Sequence, residues 1–331
     1  YSKEITFDGQ LGKIYNNAQL MGKIDLPTNI PTSFRFIASI STFDYYKKDK
    51  LFSRNDKPSF NSKDERFVKL MVALPFLANK RAEFSLGYGQ LEDNYFQSSV
   101  IDFDKDRSDR STYKLLGGSI GFYGSTLNTR QYATKGYLEK LIAQVFTGRE
   151  RFEPGNPQEG YSPSPQERQS WLQISYMKEA YHTMGPKFTL GWMAEALYSS
   201  KNFSENYTAT MMQAGEFAPT PHSKLMYNEA FRANQYVAAG IKPIYVLNDM
   251  FQFRTEFYGF TPIFPIKKNA LNKAYYGKAF SRFEYMGEVS VICHLPFGAI
   301  SAYVNHYSSP RREWNVGMTI GWQLFNYRFV E

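Results

Sequence analysis

The segment Gly117-Gly118-Ser119-Ile120-Gly121 satisfies the Gly-x-Ser-x-Gly pattern, in which a serine hydroxyl is raised at a strand-to-helix elbow to attack an acyl carbon. An elbow needs a helix behind the serine. Here Phe122-Tyr123-Gly124-Ser125 continues an alternating run, with Leu116, Gly118, Ile120 and Phe122 on one face and Ser119 on the other. Ser119 is therefore expected to be an inward strand residue without a catalytic role. Ser290 and His294 offer a second pairing, but four residues along a strand places them about 13 Å apart, beyond hydrogen-bond reach. Of the four histidines, His182, His222 and His306 fall at turns or near strand ends, where plain polar roles are expected, and no triad is legible. The single Cys293 rules out an intramolecular disulfide framework and argues against a metal cluster. The chain is not expected to be an enzyme, and no catalytic residue, metal or cofactor is assigned. The sequons Asn202-Phe203-Ser204 and Asn206-Tyr207-Thr208 mark an expected surface loop.

The elements that carry these residues alternate with period two. Phe283, Tyr285, Gly287, Val289, Val291, Cys293 and Leu295 form an apolar face, interleaved with Glu284, Glu288, Ser290 and His294. The same design recurs in Trp314, Val316, Met318, Ile320, Trp322 and Leu324, and in Phe188, Leu190, Trp192, Ala194, Ala196 and Tyr198. The opposite faces carry full charges, so they are expected to meet water rather than a second sheet. Such runs reach the roughly 9 to 11 residues a tilted strand needs to cross a hydrocarbon layer, whereas strands of soluble sandwiches average about 5 or 6.

Composition agrees. The 331-residue chain has a mean hydropathy of −0.47, with no apolar run near the roughly 20 residues of a spanning helix. Its aromatic content of 17%, from 25 Tyr, 28 Phe and 4 Trp, suits the interfacial girdles of a membrane barrel. The formal charge of +8 comes from scattered Lys and Arg rather than one patch, so no nucleic-acid partner is expected. Lysines such as Lys47, Lys48 and Lys50 read as solvated loop residues beside Tyr46 and Asp49. The start, Tyr1-Ser2-Lys3-Glu4-Ile5, lacks a basic segment followed by an apolar stretch, so a mature fragment is expected.

Connections alternate between short and long. Short ones are read near 27–32, 77–81, 125–128, 183–186, 247–249 and 296–298, and long ones near 47–64, 92–110, 148–169, 199–235 and 261–278. Between them lie about fourteen strands, beginning near Lys3, Asn17, Ser33, Glu65, Ala82, Ser111, Gly136, Ser170, Lys187, Tyr236, Met250, Phe280, Ala299 and Trp314. The expected fold is all-β, a transmembrane antiparallel up-and-down β-barrel occupying 1–331 as a single domain, with both termini periplasmic. Parity sends Ala18, Leu20, Gly22, Ile24 and Leu26 outward with Gln19, Lys23 and Asp25 inward. It likewise sends Val68, Leu70, Val72, Leu74 and Phe76 outward with Lys69 inward. The run from Gly136 to Thr147 fits least, because Glu139 shares a face with Leu141, Ala143 and Val145.

The longest connection ends in Phe231-Arg232-Ala233-Asn234-Gln235-Tyr236. This resembles a degenerate form of the Val-Arg-Gly-Phe/Tyr signature in the sixth outside loop of the superfamily of outer-membrane assembly factors and two-partner secretion transporters. Tyr132-Ala133-Thr134-Lys135-Gly136 is similar to that superfamily's Pro-Thr-Lys-Gly-like strand start, and Phe253-Arg254-Thr255-Glu256-Phe257-Tyr258 to its second strand after the signature. A nearer resemblance is to the barrel half of patatin-like phospholipases of Bacteroidetes-type Gram-negative bacteria. It is carried by 8–20, Phe43-Asp44-Tyr45-Tyr46-Lys47, Leu74-Pro75-Phe76-Leu77, Leu86-Gly87-Tyr88-Gly89 and Gly321-Trp322-Gln323-Leu324-Phe325. That resemblance implies a barrel of sixteen strands behind a patatin domain and a small transport-associated domain, both absent from this chain.

The resemblance further implies that loop 199–235 folds into the lumen as a plug and that Arg232 contacts the inner wall. Ala233 stands at the signature glycine with Asn234 inserted, and the acidic residue of the second following strand is replaced near Phe260. The anion for Arg232 is therefore expected to be Glu256, with Glu284 or Glu288 next. Three roles follow: a non-catalytic outer-membrane anchor and autotransporter-like translocator for a patatin-type lipase, an assembly or secretion factor, or an anion-preferring pore lined by Lys23, Arg35, Lys69, Arg254 and Arg282. Expected partners are outer-membrane lipid and lipopolysaccharide, the upstream lipase domain of the same protein and, in a homodimer, a second copy.

Overall fold

Period-two alternation without helix-period stretches produces one large sheet. The computed structural model describes residues 2–12, 14–45, 61–97, 106–156, 167–296, 298–308, 314–321 and 327–330. Its main strands are β1 (Ser2–Gln10), β2 (Tyr15–Leu26), β3 (Thr32–Tyr45), β4 (Asn61–Leu77), β5 (Lys80–Tyr95), β6 (Asp109–Ser125) and β7 (Gly136–Glu153). They continue as β8 (Glu167–Thr183), β9 (Phe188–Ser199), β10 (Gln235–Val246), β11 (Phe251–Pro262), β12 (Glu284–Leu295), β13 (Gly298–Tyr307) and β14 (Trp314–Ile320). Each pairs antiparallel with its sequence neighbours, giving one 14-stranded up-and-down sheet. Among the described residues β1 pairs only with β2 and β14 only with β13. Trp322 and Leu324, the tail motif 321–325 beyond Gly321, and the loop lysines at 47, 48 and 50 with Tyr46 and Asp49 lie outside the described residues.

Contacts between distant strands show that the sheet curls round an interior. Tyr132, between β6 and β7, donates to Ser301 Oγ on β13 at 3.1 Å, and Arg254 Nη1 on β11 donates to the Ala133 carbonyl at 3.0 Å. The outer surface is a continuous apolar band that includes Leu20, Phe36, Leu70, Leu86, Leu116, Val145, Ile241, Phe257 and Val289, all exposed. A soluble monomer rarely exposes more than a few hundred Å² of contiguous apolar surface. Hydrocarbon accommodates such a band, and it also explains why the backbone is satisfied strand to strand. No described helix is long and apolar enough to cross a membrane.

The inner face corrects one expectation. Many of its charged groups do not face open water: Lys69, Glu83, Lys242, Arg254, Glu256 and Glu288 are all buried, while Lys23, Asp25 and Arg81 nearer the rim stay partly exposed. The reason is that loops and the C-terminal segment fill the space, so inward charges meet protein partners. The inner core is also aromatic, with Phe217, Phe231, Tyr236, Tyr258, Phe260 and Tyr307 in one cluster and Phe67, Phe146, Trp171 and Phe329 in another.

The register of β7 stands as parity gives it, with Leu141 opposite Phe122 and Val145 opposite Gly118. Glu139 does face outward. It lies at the short-connection rim, 3.0 Å from Lys80 Nζ and 3.5 Å from Lys178 Nζ, so its charge is met by cations beside the apolar band. Several boundaries differ from expectation, with β4 beginning at Asn61 rather than near Glu65 and β7 running on to Glu153. The strand expected from Phe280 begins at Glu284, since Phe280 takes a φ of 51° that an extended strand does not allow. The connection read as a short turn at 125–128 runs over 126–135 and enters the interior.

Candidate functional site

The connection 200–234 supplies the main interior structure. Helix α1 (Tyr207–Gln213) starts at Asn206, whose side chain accepts from the Ala209 amide at 2.8 Å. That N-cap satisfies one of the amides a helix start leaves unpaired. Asn206 also donates to Tyr95 OH on β5 at 2.8 Å, so the helix start is tied to the wall. The expected surface position of this sequon region is thereby corrected: Ser204 and Asn206 are buried inside the barrel, while Asn202 is exposed. Gln213, at the helix end, donates to the buried Asp93 on β5.

Beyond α1, Gly215–Glu216 forms a two-residue bridge with Arg232–Ala233, with Gly215 opposite Ala233 and Glu216 opposite Arg232. A Cβ at Gly215 would meet Leu197 Cδ2 at 2.0 Å, so any larger residue would have to push the Leu197 side chain aside for the loop to approach β9 this closely. The bridge places Arg232 Nη2 2.8 Å from Glu216 Oε2. Arg232 Nη1 donates to the Met212 and Ala214 carbonyls, each at 3.3 Å, and the guanidinium lies 4.7 Å from the Tyr227 ring and 5.8 Å from that of Tyr45 on β3. A guanidinium desolvated by protein is stabilised by this set of charge-assisted bonds and ring faces together.

The expected partner of Arg232 is thus corrected. Glu256, Glu284 and Glu288 do not pair with it, because the loop supplies its own anion and each wall carboxylate is engaged elsewhere. Glu256 pairs with Arg254 Nε at 2.9 Å, and Arg254 in turn holds the Ala133 carbonyl. Glu284 lies 3.7 Å from Arg282 Nε, and Arg282 Nη2 donates to the Ala230 carbonyl at 2.8 Å. Glu288 accepts from Thr220 Oγ1 at 3.0 Å and lies 2.8 Å from His222 Nδ1. All three wall carboxylates therefore brace a segment that enters the interior, two of them through an arginine.

The other signature residues close the loop. Phe231 packs against Phe260 and Tyr307, with centroids at 5.6 and 5.8 Å. Ala233 is fully enclosed. The inserted Asn234 donates to the Lys201 carbonyl at 3.3 Å and to Tyr276 OH at 3.1 Å, tying the end of the loop to its root. Gln235 opens β10, and Tyr236 OH donates to Glu195 Oε1 on β9 at 2.6 Å. Sequence reasoning did not single out Glu216; a carboxylate one short bridge from the arginine in an irregular loop carries no periodic signal.

His222 is the second residue it missed. It does lie in a turn, just before the 3-10 turn Ser223–Leu225, but it is not a plain polar group, because its ring stacks on Tyr303 at 3.6 Å inside the barrel. Nε2 lies 3.2 Å from Ser301 Oγ while Nδ1 faces Glu288, the spacing of a serine–histidine–carboxylate relay. Ser301 Oγ is already enclosed by Tyr132 OH and Thr319 Oγ1, and Ser301 is fully buried, leaving no approach for an ester carbonyl. The cluster holds the loop to β12 and β13. Ser119 is mid-strand, with its hydroxyl 2.6 Å from that of Ser85, and His294 contacts Gln252 rather than Ser290. No group of three or more His, Cys, Asp or Glu suited to a metal occurs among the described residues.

The five cations expected to line a pore are each engaged. Lys23 meets Asp25 at 2.7 Å and Arg35 meets Glu83 at 3.3 Å. Lys69 donates to the Arg328 carbonyl, and Arg254 and Arg282 hold the inserted segments.

No family profile matches the chain, and no curated protein matches it. Solved structures do. BamA from Haemophilus ducreyi lacking POTRA domains 1–3 superimposes with a TM-score of 0.61 at 11% identity, covering 96% of this chain and 63% of that one. This chain thus spans less than two thirds of that protein's length. The ferric preacinetobactin receptor BauA from Acinetobacter baumannii gives a TM-score of 0.44 at 9% identity, covering 92% of this chain and 49% of that one. The translocator domain of autotransporter NalP from Neisseria meningitidis gives 0.34 at 8% identity, covering 88% and 85%. The last two align too loosely to bear on the fold. The first establishes that this chain has the fold of an outer-membrane β-barrel.

Proposed function

We propose that this chain is an outer-membrane barrel of the assembly or translocator type, held closed at rest by connection 200–234. The observation that carries this reading is the clasp between Arg232 and Glu216, which shapes the loop inside the barrel rather than over its mouth. A diffusion pore needs free inward cations and an open path, and the engaged cations argue against it. Lipid and lipopolysaccharide cover the apolar band, and the strand parity puts both ends of the sheet at the short-connection end, which we place in the periplasm. The experiment is permeability in whole cells. Expression of Glu216→Ala is expected to sensitise Gram-negative cells to large antibiotics while the wild-type chain does not; equal sensitivity with both would favour the pore.

The finer reading is that the barrel anchors a patatin-like lipase domain and acts as its translocator, with homodimerisation a property to be measured. Its support is the set of family-like phrases spread along nearly the whole chain. A lipase domain encoded upstream in the same reading frame is the expected finding, and several tandem transport-associated domains in its place would select an assembly factor.

A further inference from the structure

Strands rarely keep glycine in their interior unless another backbone or a ligand comes close. β5 and β6 carry four on the inner face, Gly87, Gly89, Gly117 and Gly121, and the first three lie against one ring. Gly87 is directly opposite Gly117 across the strand pair, and Gly89 follows two residues on, opposite Leu115. Added Cβ atoms at all three would crowd Phe329, although the Val68 carbonyl at Gly87 and the Phe146 ring at Gly117 lie nearer still, each at 2.7 Å. At Gly89 the nearest atoms are Cγ and both Cδ of Phe329, at 2.9 to 3.1 Å; at Gly87 Phe329 Cε2 lies at 3.1 Å, and at Gly117 Phe329 Cζ lies at 3.3 Å. The three glycines form the floor on which the ring of Phe329 rests.

The walls are aromatic, with the Phe67 centroid at 5.9 Å and that of Phe146 at 5.7 Å, and Phe146 itself stacked on Trp171. Phe329 is 2% exposed although it lies near the chain's end, far along the sequence from these strands. β4 grips the backbone on either side of the ring. Lys69 Nζ donates to the Arg328 carbonyl at 3.0 Å, and the Phe329 amide donates to Glu65 Oε1 at 2.7 Å. A cation for a carbonyl, a carboxylate for an amide and a flat slot for a ring together recognise a short peptide segment through one aromatic side chain and the backbone groups beside it.

We propose that the inner face of β4, β5 and β6 is a peptide-binding site, specific for an aromatic side chain on a short segment and occupied at rest by the chain's own residues 327–330. The tail is a resident ligand that a peptide of the same chemistry displaces. Backbone contacts set orientation, and the glycine floor admits the ring while excluding a Cβ-bearing wall.

The test uses a chain ending at residue 326 and a fluorescein-labelled peptide with the sequence of residues 326–331, read by anisotropy in detergent. The shortened chain is expected to bind the peptide and the full chain to bind it at least about tenfold more weakly. Replacing the peptide's phenylalanine by alanine is expected to weaken binding by at least about tenfold. Gly89→Leu in the shortened chain is expected to abolish binding. Folding of each variant is read from its heat-modifiable gel mobility; should Gly89→Leu fail to fold, Phe329→Ala in the full chain replaces it and is expected to admit the peptide. A folded shortened chain that does not bind, or that binds the alanine peptide equally well, overturns the proposal. The permeability measurement on Glu216→Ala is unaffected by either result, so failure here is distinguishable from failure of the plug.

Discussion

Arg232 and Glu216 face each other at 2.8 Å within a single connection, while Phe260 on the wall presents a ring to Phe231. The anion for the arginine lies in the loop itself, and the wall facing Phe231 is apolar. Loop and wall are then joined by aromatic packing and by Glu288 and Arg282, and Arg232 shapes the plug from inside. A double-mutant cycle separates this from direct locking. Removing one partner of a buried pair costs about 3 to 5 kcal/mol. Arg232→Ala and Glu216→Ala are expected to be strongly non-additive in unfolding free energy, whereas Arg232→Ala and Glu256→Ala add within about 0.5 kcal/mol. Coupling between Arg232 and Glu256 would contradict the geometry.

Gly215 sets how close the loop comes to β9. Gly215→Val places its side chain into Leu197, and overpacking of this kind costs about 1 to 3 kcal/mol. The expected outcome is an intact barrel with faster proteolysis within 200–234; protease resistance equal to wild type would contradict it.

The relay formed by Ser301, His222 and Glu288 predicts no chemistry. Purified barrel is expected to hydrolyse short-chain p-nitrophenyl esters no faster than buffer, and Ser301→Ala and Ser119→Ala are expected to leave that baseline unchanged. Hydrolysis abolished by either substitution would mean the enclosure around Ser301 opens in solution. His222→Ala, by contrast, removes a partner of buried Glu288 and is expected to loosen the loop.

The outer band makes a position-dependent prediction. Leu70→Arg puts a charge into the apolar band and is expected to cost about 2 to 4 kcal/mol in urea titrations of vesicle-inserted protein. Glu139→Gln removes a half-exposed rim ion pair and is expected to cost about 0 to 1 kcal/mol. Equal costs would mean Glu139 lies deep in the hydrocarbon.

Much of the fold was legible because period two leaves its mark on every residue. Parity placed Leu70 outward and Lys69 inward, and it held even at Glu139, where the conflict came from ignoring Lys80 and Lys178 on neighbouring strands. The site was less legible. Phe231 to Tyr236 drew attention through resemblance, but the partner of Arg232 depends on how an irregular loop folds back on itself, and His222 meets Glu288 and Ser301 only after the sheet curls. The tail was hidden for the same reason, although Gly87, Gly89 and Gly117 inside strands were a readable sign that something approaches closely. The expectation of a wet inner face failed because alternation reports which face is polar and not what fills the space beside it.

The most direct test of the closed interior is single-channel conductance of the purified chain in a planar bilayer, compared with Arg232→Ala and Glu216→Ala. The account predicts a wild-type barrel that is silent or nearly so and two variants that open frequently and alike. A steady anion-selective conductance in the wild type, unchanged by either substitution, would contradict it.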